Sequence, residues 1–257
     1  MARDVLTVTL IGGPTVLLEI GGLRLLTDPT FDPPGTYEAR GVVLVKQSSP
    51  ALPADRLGRI DAVLLSHDQH FDNLDHAGRA MLPQAGRVLT TEAGAARLGD
   101  GAVGLAPWQS SQLRLADGRA LRVTATPARH GPVGIEPVSG DVIGFVLAAD
   151  EGRAIYVSGD TVWYEGVAEV ARRFDVGIAI LFTGAARPRG AFHMTMDSND
   201  AIATAHAFGT ATIVAVHNEG WAHFTESQDA LAKDFTVLGM GDRLQQLEAG
   251  KPTRLTV

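Results

Sequence analysis

The sequence predicts a layered α/β protein built from two similar halves that pack against one another. Residues 5–29 follow the order strand, glycine turn, strand and close on Asp28. The same order recurs from Gly144 to Tyr164, where the second strand closes on Asp160. Helical patterns between the strands place the protein in the α/β class.

The strands follow from apolar stretches bounded by turn residues. Gly21 and Gly22 predict the turn of the first hairpin, and an acidic turn ending at Gly152 predicts that of the second. Three further strands run directly into side chains that can bind metal: RIDAVLLSHD, RALRVTATPARHGP and TATIVAVHNEG.

Helices are predicted at LDHAGRAMLPQ, TTEAGAARLG, VAEVARRFD and SNDAIATAHAFG. In the last of these, Ser198 or Asn199 is the expected N-cap and Gly209 the expected stop. The segments 32–35 and 183–191 are expected to be irregular.

Composition limits the function. The 257 residues, 45% hydrophobic and 20% charged, predict one globular domain over residues 1–257 and exclude global disorder. A net charge of −7 argues against binding to nucleic acid or an anionic membrane surface. No long apolar stretch predicts a membrane span or a signal peptide, so we expect a cytoplasmic protein. The absence of cysteine leaves His, Asp, Glu and Asn to hold any metal.

Four predicted strand ends carry candidate metal ligands. One histidine at a strand end is usually incidental, but four such ends in order are not. A short loop tied to a strand can bring imidazole and carboxylate groups to one point. The candidates, in chain order, are His67 and His70 with Asp72, then His130, then Asp160, then His217.

With these residues in place, the chain resembles the metallo-β-lactamase superfamily. The resemblance runs from LLTDPTF through SHDQHFDNLD, His130 and SGDT to VAVHNEG, and it is nearest to the lactonase-like and N-acyl-phosphatidylethanolamine phospholipase D-like single-domain branch. It implies a four-layer αβ/βα sandwich and a metal-dependent hydrolase. It also implies that Asp28 is a structural aspartate, Asp160 a bridging ligand and His217 the last ligand.

The loop SHDQHFDN departs from the family pattern, His-x-His-x-Asp-His. One alignment places Asp68 at the position of the first histidine and Asn73 at that of the last. The other places His67 at the position of the first histidine, which leaves one residue too many before Asp72. We favour a one-residue bulge that lets both His67 and His70 reach the metal, with Asp68 as a substitute ligand. In either register Asn73 is a weaker ligand than histidine.

Two metal pockets are therefore expected. The nitrogen-rich pocket suits zinc, and the pocket with more oxygen should be weaker or should hold manganese or iron. One or two divalent ions are predicted, with zinc first. The first pocket would use His67, His70, His130 and Asp160; the second would use Asp72, Asp160 and His217.

The expected reaction is hydrolysis of a small ester, lactone or phosphodiester through a metal-bound hydroxide. Asp72 would orient that nucleophile as well as bind metal. His193, in a loop before a helix, is a candidate general acid or oxyanion donor, against the alternative of an ordinary loop histidine. His76 and His206, each on a predicted helix, are expected to be structural or exposed.

The substrate-binding candidates are Arg129, Arg187, Arg189 and Trp163. Two arginines facing the metal would indicate an anionic small molecule, whereas each alone is typical of a solvated surface. Trp163 could wall the site or pack in the core. Relatives of this size often form homo-oligomers, and nothing in the sequence decides whether this chain does.

A rival hypothesis is a metal-binding protein that does not catalyse, a sensor or scaffold whose motif has drifted. Asn73 and the shifted His67 spacing favour it. The retained residues oppose it: Asp72, His130, Asp160 and His217.

Overall fold

The computed structural model describes residues 5–39, 41–99, 101–149 and 152–257. Within these residues the chain forms two seven-stranded sheets and one two-stranded hairpin. The first sheet has the order β16-β1-β2-β3-β6-β7-β8. Its strands are β1 Val5–Gly12, β2 Thr15–Ile20, β3 Leu23–Thr27, β6 Ala62–Leu64, β7 Val88–Thr90, β8 Ala102–Gly104 and β16 Thr253–Thr256.

The second sheet has the order β15-β14-β13-β12-β11-β10-β9. Its strands are β9 Ser110–Arg114, β10 Ala120–Pro127, β11 Ile143–Ala149, β12 Ala154–Val157, β13 Val176–Phe182, β14 Thr212–Val216 and β15 Leu244–Gln245. The separate hairpin pairs β4 Gly35–Ala39 with β5 Val42–Lys46.

The helices are α1 His76–Met81, α2 Glu92–Leu98, α3 Glu136–Ser139, α4 Glu165–Arg173, α5 Ser198–Ala207 and α6 Gln228–Val237. Short 3₁₀ turns cover Ala54–Arg56, Leu82–Gln84 and Gly241–Arg243. In the described ranges no helix has the length and apolar character needed to cross a bilayer.

The layers are helix, sheet, sheet, helix, which confirms the predicted fold class. Buried side chains of both sheets, among them Leu18 and Phe145, form one core between them. The outer face of the first sheet packs on α1 through Met81. The outer face of the second packs on α4, α5 and α6, for example through Val167 and Leu231. Successive side chains along a strand point to opposite faces of the sheet, so buried strands that are apolar throughout supply both faces.

The predicted hairpins are present. Gly21 and Gly22 take φ angles of 54° and 84°, the left-handed pair that a two-residue turn needs, and β2 pairs antiparallel with β3. β11 pairs antiparallel with β12, but the acidic part of their turn lies outside the described residues.

Three local predictions need correction or addition. The N-cap of α5 is Asp197, whose side chain accepts from the backbone N–H of Asp200, rather than Ser198 or Asn199. The hairpin β4–β5 begins within the stretch expected to be irregular. Helix α6, capped by Ser227, had no predicted counterpart.

Candidate metal centre

The candidate ligands gather where strands of both sheets end. His67 lies just after β6 of the first sheet, whereas His130, Asp160 and His217 follow β10, β12 and β14 of the second. All four side chains are buried. Loops at strand ends are where rigid scaffolds place reactive groups, and the two sheets here supply one cluster.

The first set comprises His67, His70, His130 and Asp160, which offer ligand atoms within 4.8 Å of one another. His67 Nε2 lies 2.8 Å from His70 Nδ1, and His130 Nε2 lies 3.2 Å from the same atom. His130 Nε2 is 3.4 Å from Asp160 Oδ2. These short separations between lone-pair atoms are what a common cation would accommodate.

The second set comprises Asp72, Asp160 and His217, again within 4.8 Å. His217 Nδ1 lies 3.6 Å from Asp160 Oδ1, and His217 Nε2 lies 3.8 Å from Asp72 Oδ2. Asp160 belongs to both sets, with one oxygen toward each. It therefore has the position that a bridging carboxylate needs.

The loop SHDQHFDN brings two of its histidines to one point. His67 and His70 both join the first set, as the bulge predicts, while the inserted Gln69 packs its side-chain amide against Gly140. Asp68, expected as a substitute ligand, lies in neither set. Its buried carboxylate accepts from Arg97 Nη2 at 2.5 Å and Nε at 2.9 Å, so Asp68 is committed to an ion pair.

Hydrogen bonds orient the imidazoles. His130 Nδ1 donates to the carbonyl oxygen of Met194 at 2.7 Å, which leaves Nε2 as the atom with a lone pair. His67 Nδ1 pairs with Ser66 Oγ at 2.9 Å and thereby turns Nε2 toward His70.

Burial also keeps the rings neutral. It lowers the pKa of His130 and of His217 to about 3, and the pKa of His67 lies well below its usual value. Neutral imidazole is the form that binds metal, so these residues can act as ligands at neutral pH without losing a proton.

The carboxylates differ in charge state. Burial raises the pKa of Asp160 well above its usual value, and the negative charge of Asp72 adds to this. For Asp72, burial also favours the neutral acid, but the hydrogen bond from His223 and the charge interactions with the neighbouring histidines together outweigh it and lower the pKa. Burial raises the pKa of Asp28 to about 7.

The donor set fits a divalent cation. Among the described residues, five buried polar atoms near this point have no hydrogen-bond partner: Asn73 Oδ1, Asp160 Oδ2, His217 Nδ1, His217 Nε2 and His223 Nδ1. A buried unpaired polar group costs about 1–3 kcal/mol, so such a concentration needs a compensating ligand. A cation facing oxygen and nitrogen lone pairs would supply one.

His193 is not part of either set. Its Nε2 lies 3.0 Å from Asp200 Oδ2 and its Nδ1 lies 3.6 Å from Asp197 Oδ2. These three residues form a half-buried group of their own. The neighbouring Met194 carbonyl nevertheless contacts His130, so the loop that carries His193 borders the first set.

The substrate-binding candidates are dispersed. The guanidinium of Arg129 lies 4.6 Å from the ring centre of Tyr164, beside His130, whereas Arg187 is exposed and Arg189 half-buried. Trp163 is half-buried and packs against the outer core of the second sheet. Arg129 and His130 both line a cavity of 240 Å³.

Sequence reasoning missed two contributors. His223 lies with Nε2 2.9 Å from Asp72 Oδ2. Asp75 accepts from Lys46 Nζ at 2.9 Å and caps α1. Aspartate is a preferred N-cap residue, and its place directly before the residues of α1 was a signal that could have identified Asp75. No local signal could have paired His223 with a residue 151 positions away.

Comparison with known proteins agrees with this architecture. A family model described as beta-lactamase superfamily domain matches residues 23–218. The UPF0173 protein YddR of Bacillus subtilis is 24% identical over 241 residues, which cover 90% of this chain and 92% of that protein. The UPF0173 metal-dependent hydrolase PAE2160 of Pyrobaculum aerophilum is 29% identical over 180 residues, 67% of this chain and 69% of that one.

Solved structures resemble the whole chain. An isothiocyanate hydrolase from Delia radicum gut bacteria superimposes with a TM-score of 0.83 at 25% identity, covering 98% of this chain and 100% of that one. Igni18, a metallo hydrolase of the archaeon Ignicoccus hospitalis, superimposes with a TM-score of 0.73 at 19% identity, covering 98% of this chain and 99% of that one. The fold and family predicted from the motifs are thus confirmed, while the lactonase-like branch stays a prediction.

Proposed function

This chain belongs to the beta-lactamase superfamily, and on that premise we propose that it is a hydrolase that uses one or two divalent metal ions to cleave a small ester, lactone or phosphodiester. One observation carries the proposal. Two sets of buried ligands share Asp160 and leave oxygen and nitrogen lone pairs without partners at a single point.

The two sets favour different ions. The first has three imidazoles and one carboxylate, a donor set suited to zinc. The second has two carboxylates and one imidazole, so a harder ion such as manganese or iron would compete better there.

A divalent ion held by these residues would lower the pKa of bound water to about 7 and would polarise the oxygen of the substrate. The residues supply orientation. Asp72, held as a carboxylate by His223, can accept a proton or a hydrogen bond from the attacking water. His193 would donate to the leaving group from the loop before α5, which also carries Met194.

Substrate contacts would come from the side of the cavity that Arg129 and His130 line. Arg129 has no carboxylate partner among the described residues and rests on Tyr164, so its guanidinium is available to an anionic group. We extend the same role to Arg187, Arg189 and Trp163. Because a structural relative hydrolyses isothiocyanates, that electrophile belongs beside esters, lactones and phosphodiesters in a substrate panel.

The test combines metal content with turnover. Protein purified without added metal or chelator should contain metal by elemental mass spectrometry and should hydrolyse at least one member of the panel, with activity removed by chelator. Asp160→Asn should lower kcat/KM by more than about 100-fold, because it alters a ligand common to both sets. His206→Ala, at an exposed position on α5, should leave the rate unchanged.

The non-catalytic sensor or scaffold remains the second candidate, because Asn73 occupies a ligand position of the motif. It predicts bound metal without turnover of any panel member. Wild-type protein that binds no metal under any condition would contradict both proposals.

A further inference from the structure

We propose that the cavity beside His130 binds an uncharged apolar group of the substrate, a short alkyl or aryl group, while the bond to be cleaved lies at the metal centre. The inference rests on the proposed function and deepens it, because it names the part of the substrate that this chain selects.

The cavity, of 240 Å³, lies between the two sheets, beside the metal ligands. Leu105 follows β8 of the first sheet, whereas Pro127 ends β10 and Ile143 begins β11 of the second, and all three line the cavity. His130 lines it too, and its Nε2 lies 3.4 Å from Asp160 Oδ2 in the first ligand set. A molecule whose reacting bond lies at the metal centre therefore has this space directly beside it.

The floor of the cavity is apolar. The side chains of Leu105, Val142 and Ile143 are 5%, 7% and 3% exposed. Leu105 and Ile143 also belong to the core between the two sheets. An alkyl group in the cavity would extend this core, and each methylene removed from water there would raise the affinity by about four-fold.

The charges around the cavity favour an uncharged group. Glu92, Glu136 and Asp141 also line it, and all three are exposed. Among the lining residues that the structure describes, Arg129 is the one arginine or lysine, and its guanidinium lies 4.6 Å from the ring centre of Tyr164. The excess of carboxylates repels an anionic chain that enters the cavity. A polar group beside Arg129 and an apolar group on the buried floor are therefore compatible.

The cavity has a fixed position relative to the metal ligands. Gln69, the residue inserted between His67 and His70, packs its side-chain amide so closely on Gly140 that a Cβ there would lie 1.7 Å from Gln69 Oε1. Gly140 is part of the cavity lining. This contact holds one wall against the loop SHDQHFDN, so a substrate is selected by the distance between its reacting bond and its apolar group.

The first test measures binding without turnover. Protein purified with zinc in the buffer, with labelled Leu, Val and Ile methyl groups, would be titrated with n-butanol and n-hexanol and followed by NMR. We expect the shifts to concentrate at Leu105, Val142 and Ile143, and n-hexanol to bind about 10-fold more tightly than n-butanol.

Filling the cavity should remove this binding. Ala106, which lines the cavity, would be changed to Leu, and Ala106→Val is the smaller change if Ala106→Leu does not fold. Ala207→Leu, at an exposed position on α5, is the matched control. The dissociation constant for n-hexanol should rise by at least about 10-fold in the Ala106 variants and stay at the wild-type value in the control.

The second test measures selectivity with p-nitrophenyl esters of acetic, butanoic, hexanoic and succinic acid. In wild type kcat/KM should rise from acetate to hexanoate, and the butanoate ester should exceed the succinate ester, which ends in a carboxylate, by at least about 10-fold. Ala106→Leu should reduce the ratio of hexanoate to acetate by at least about 10-fold, whereas Ala207→Leu should keep it.

Three results would overturn the inference: no shift at the three methyl-bearing residues, the same n-hexanol affinity in wild type and both Ala106 variants, or a preference for the succinate ester. A wild type that still hydrolyses esters then leaves the proposed function standing. A wild type that binds n-hexanol at these residues but hydrolyses nothing in the panel supports the apolar site and contradicts the proposed function.

Discussion

At the scale of single residues, burial sets the charge of the metal centre. His130, with a pKa lowered to about 3, stays neutral while its Nδ1 donates to Met194. The buried carboxylates Asp28 and Asp160 instead have raised pKa values, because an anion is costly away from water. Burial therefore favours the neutral forms of His130, Asp28 and Asp160, whereas Asp72 keeps its charge.

The raised pKa of Asp28 can be measured through its effect on the free energy of unfolding. Its pKa is about 7 in the folded protein and near 3.8 when unfolded, so between these values the folded state binds the extra proton. The stabilisation is complete below about pH 4 and is lost as the pH rises through 7. Asp28→Asn mimics the protonated acid and lacks this dependence.

For chelator-treated protein we therefore expect the free energy of unfolding of wild type, relative to Asp28→Asn, to fall between pH 4 and pH 8. Urea unfolding at several pH values measures the difference. A difference that stays constant with pH would show that Asp28 does not have a raised pKa.

Asp68 separates two roles for a carboxylate inside the motif. Because its oxygens are bound by Arg97, Asp68→Asn should keep the metal content of wild type and lose only about 1–2 kcal/mol of stability. Asp72→Asn, four residues on, should lose the second ion. Elemental analysis of both variants measures their metal content. Loss of metal in Asp68→Asn would show that Asp68 is a ligand after all.

At the scale of elements, an ion pair fixes the hairpin β4–β5 to the segment that follows the motif SHDQHFDN. Lys46 Nζ lies 2.9 Å from Asp75 Oδ2, and both side chains are at most 5% exposed. Asp75 also accepts from the backbone N–H groups of Phe31, Asp32 and Gly78. One carboxylate thus joins the hairpin, the chain after β3 and the start of α1.

Replacement of Lys46 should be costly for that reason. Lys46→Met leaves the Asp75 charge buried without its cation, and we expect a loss of about 3–5 kcal/mol in the free energy of unfolding. Lys251→Met, which breaks the exposed pair with Glu248, should cost at most about 1 kcal/mol. Equal effects in chemical denaturation would contradict a structural role for the buried pair.

At the scale of the whole molecule, the ligands connect the two halves. The loop after β6 belongs to the first sheet, and the loops after β10, β12 and β14 belong to the second. A bound ion would therefore stabilise the association of the two halves in addition to the apolar core between them.

Metal removal should lower the melting temperature accordingly. A ligand present at 1,000 times its Kd adds about 4 kcal/mol to the folded state, provided that the unfolded chain does not bind it. Calorimetry should give a higher melting temperature with zinc than with chelator for wild type and His206→Ala. The difference between the two melting temperatures should be much smaller for Asp160→Asn. Identical melting temperatures with zinc and chelator would argue against both ligand sets.

The sequence by itself determined the family, the layered fold and the candidate ligands at four strand ends. These follow from local signals: apolar periodicity, glycine turns such as Gly21-Gly22, and ligand side chains placed directly after strands. Such signals depend on neighbouring residues, so they can be recognised without knowledge of the packing.

Only the tertiary structure decided which side chains share a point in space. Asp68 and His70 are two residues apart, yet one turns to Arg97 and the other to His67 and His130. His223 reaches Asp72 across 151 positions because both sheets end at the same edge. Local pattern does not encode such contacts, since they depend on how distant loops pack once the core between the sheets has formed.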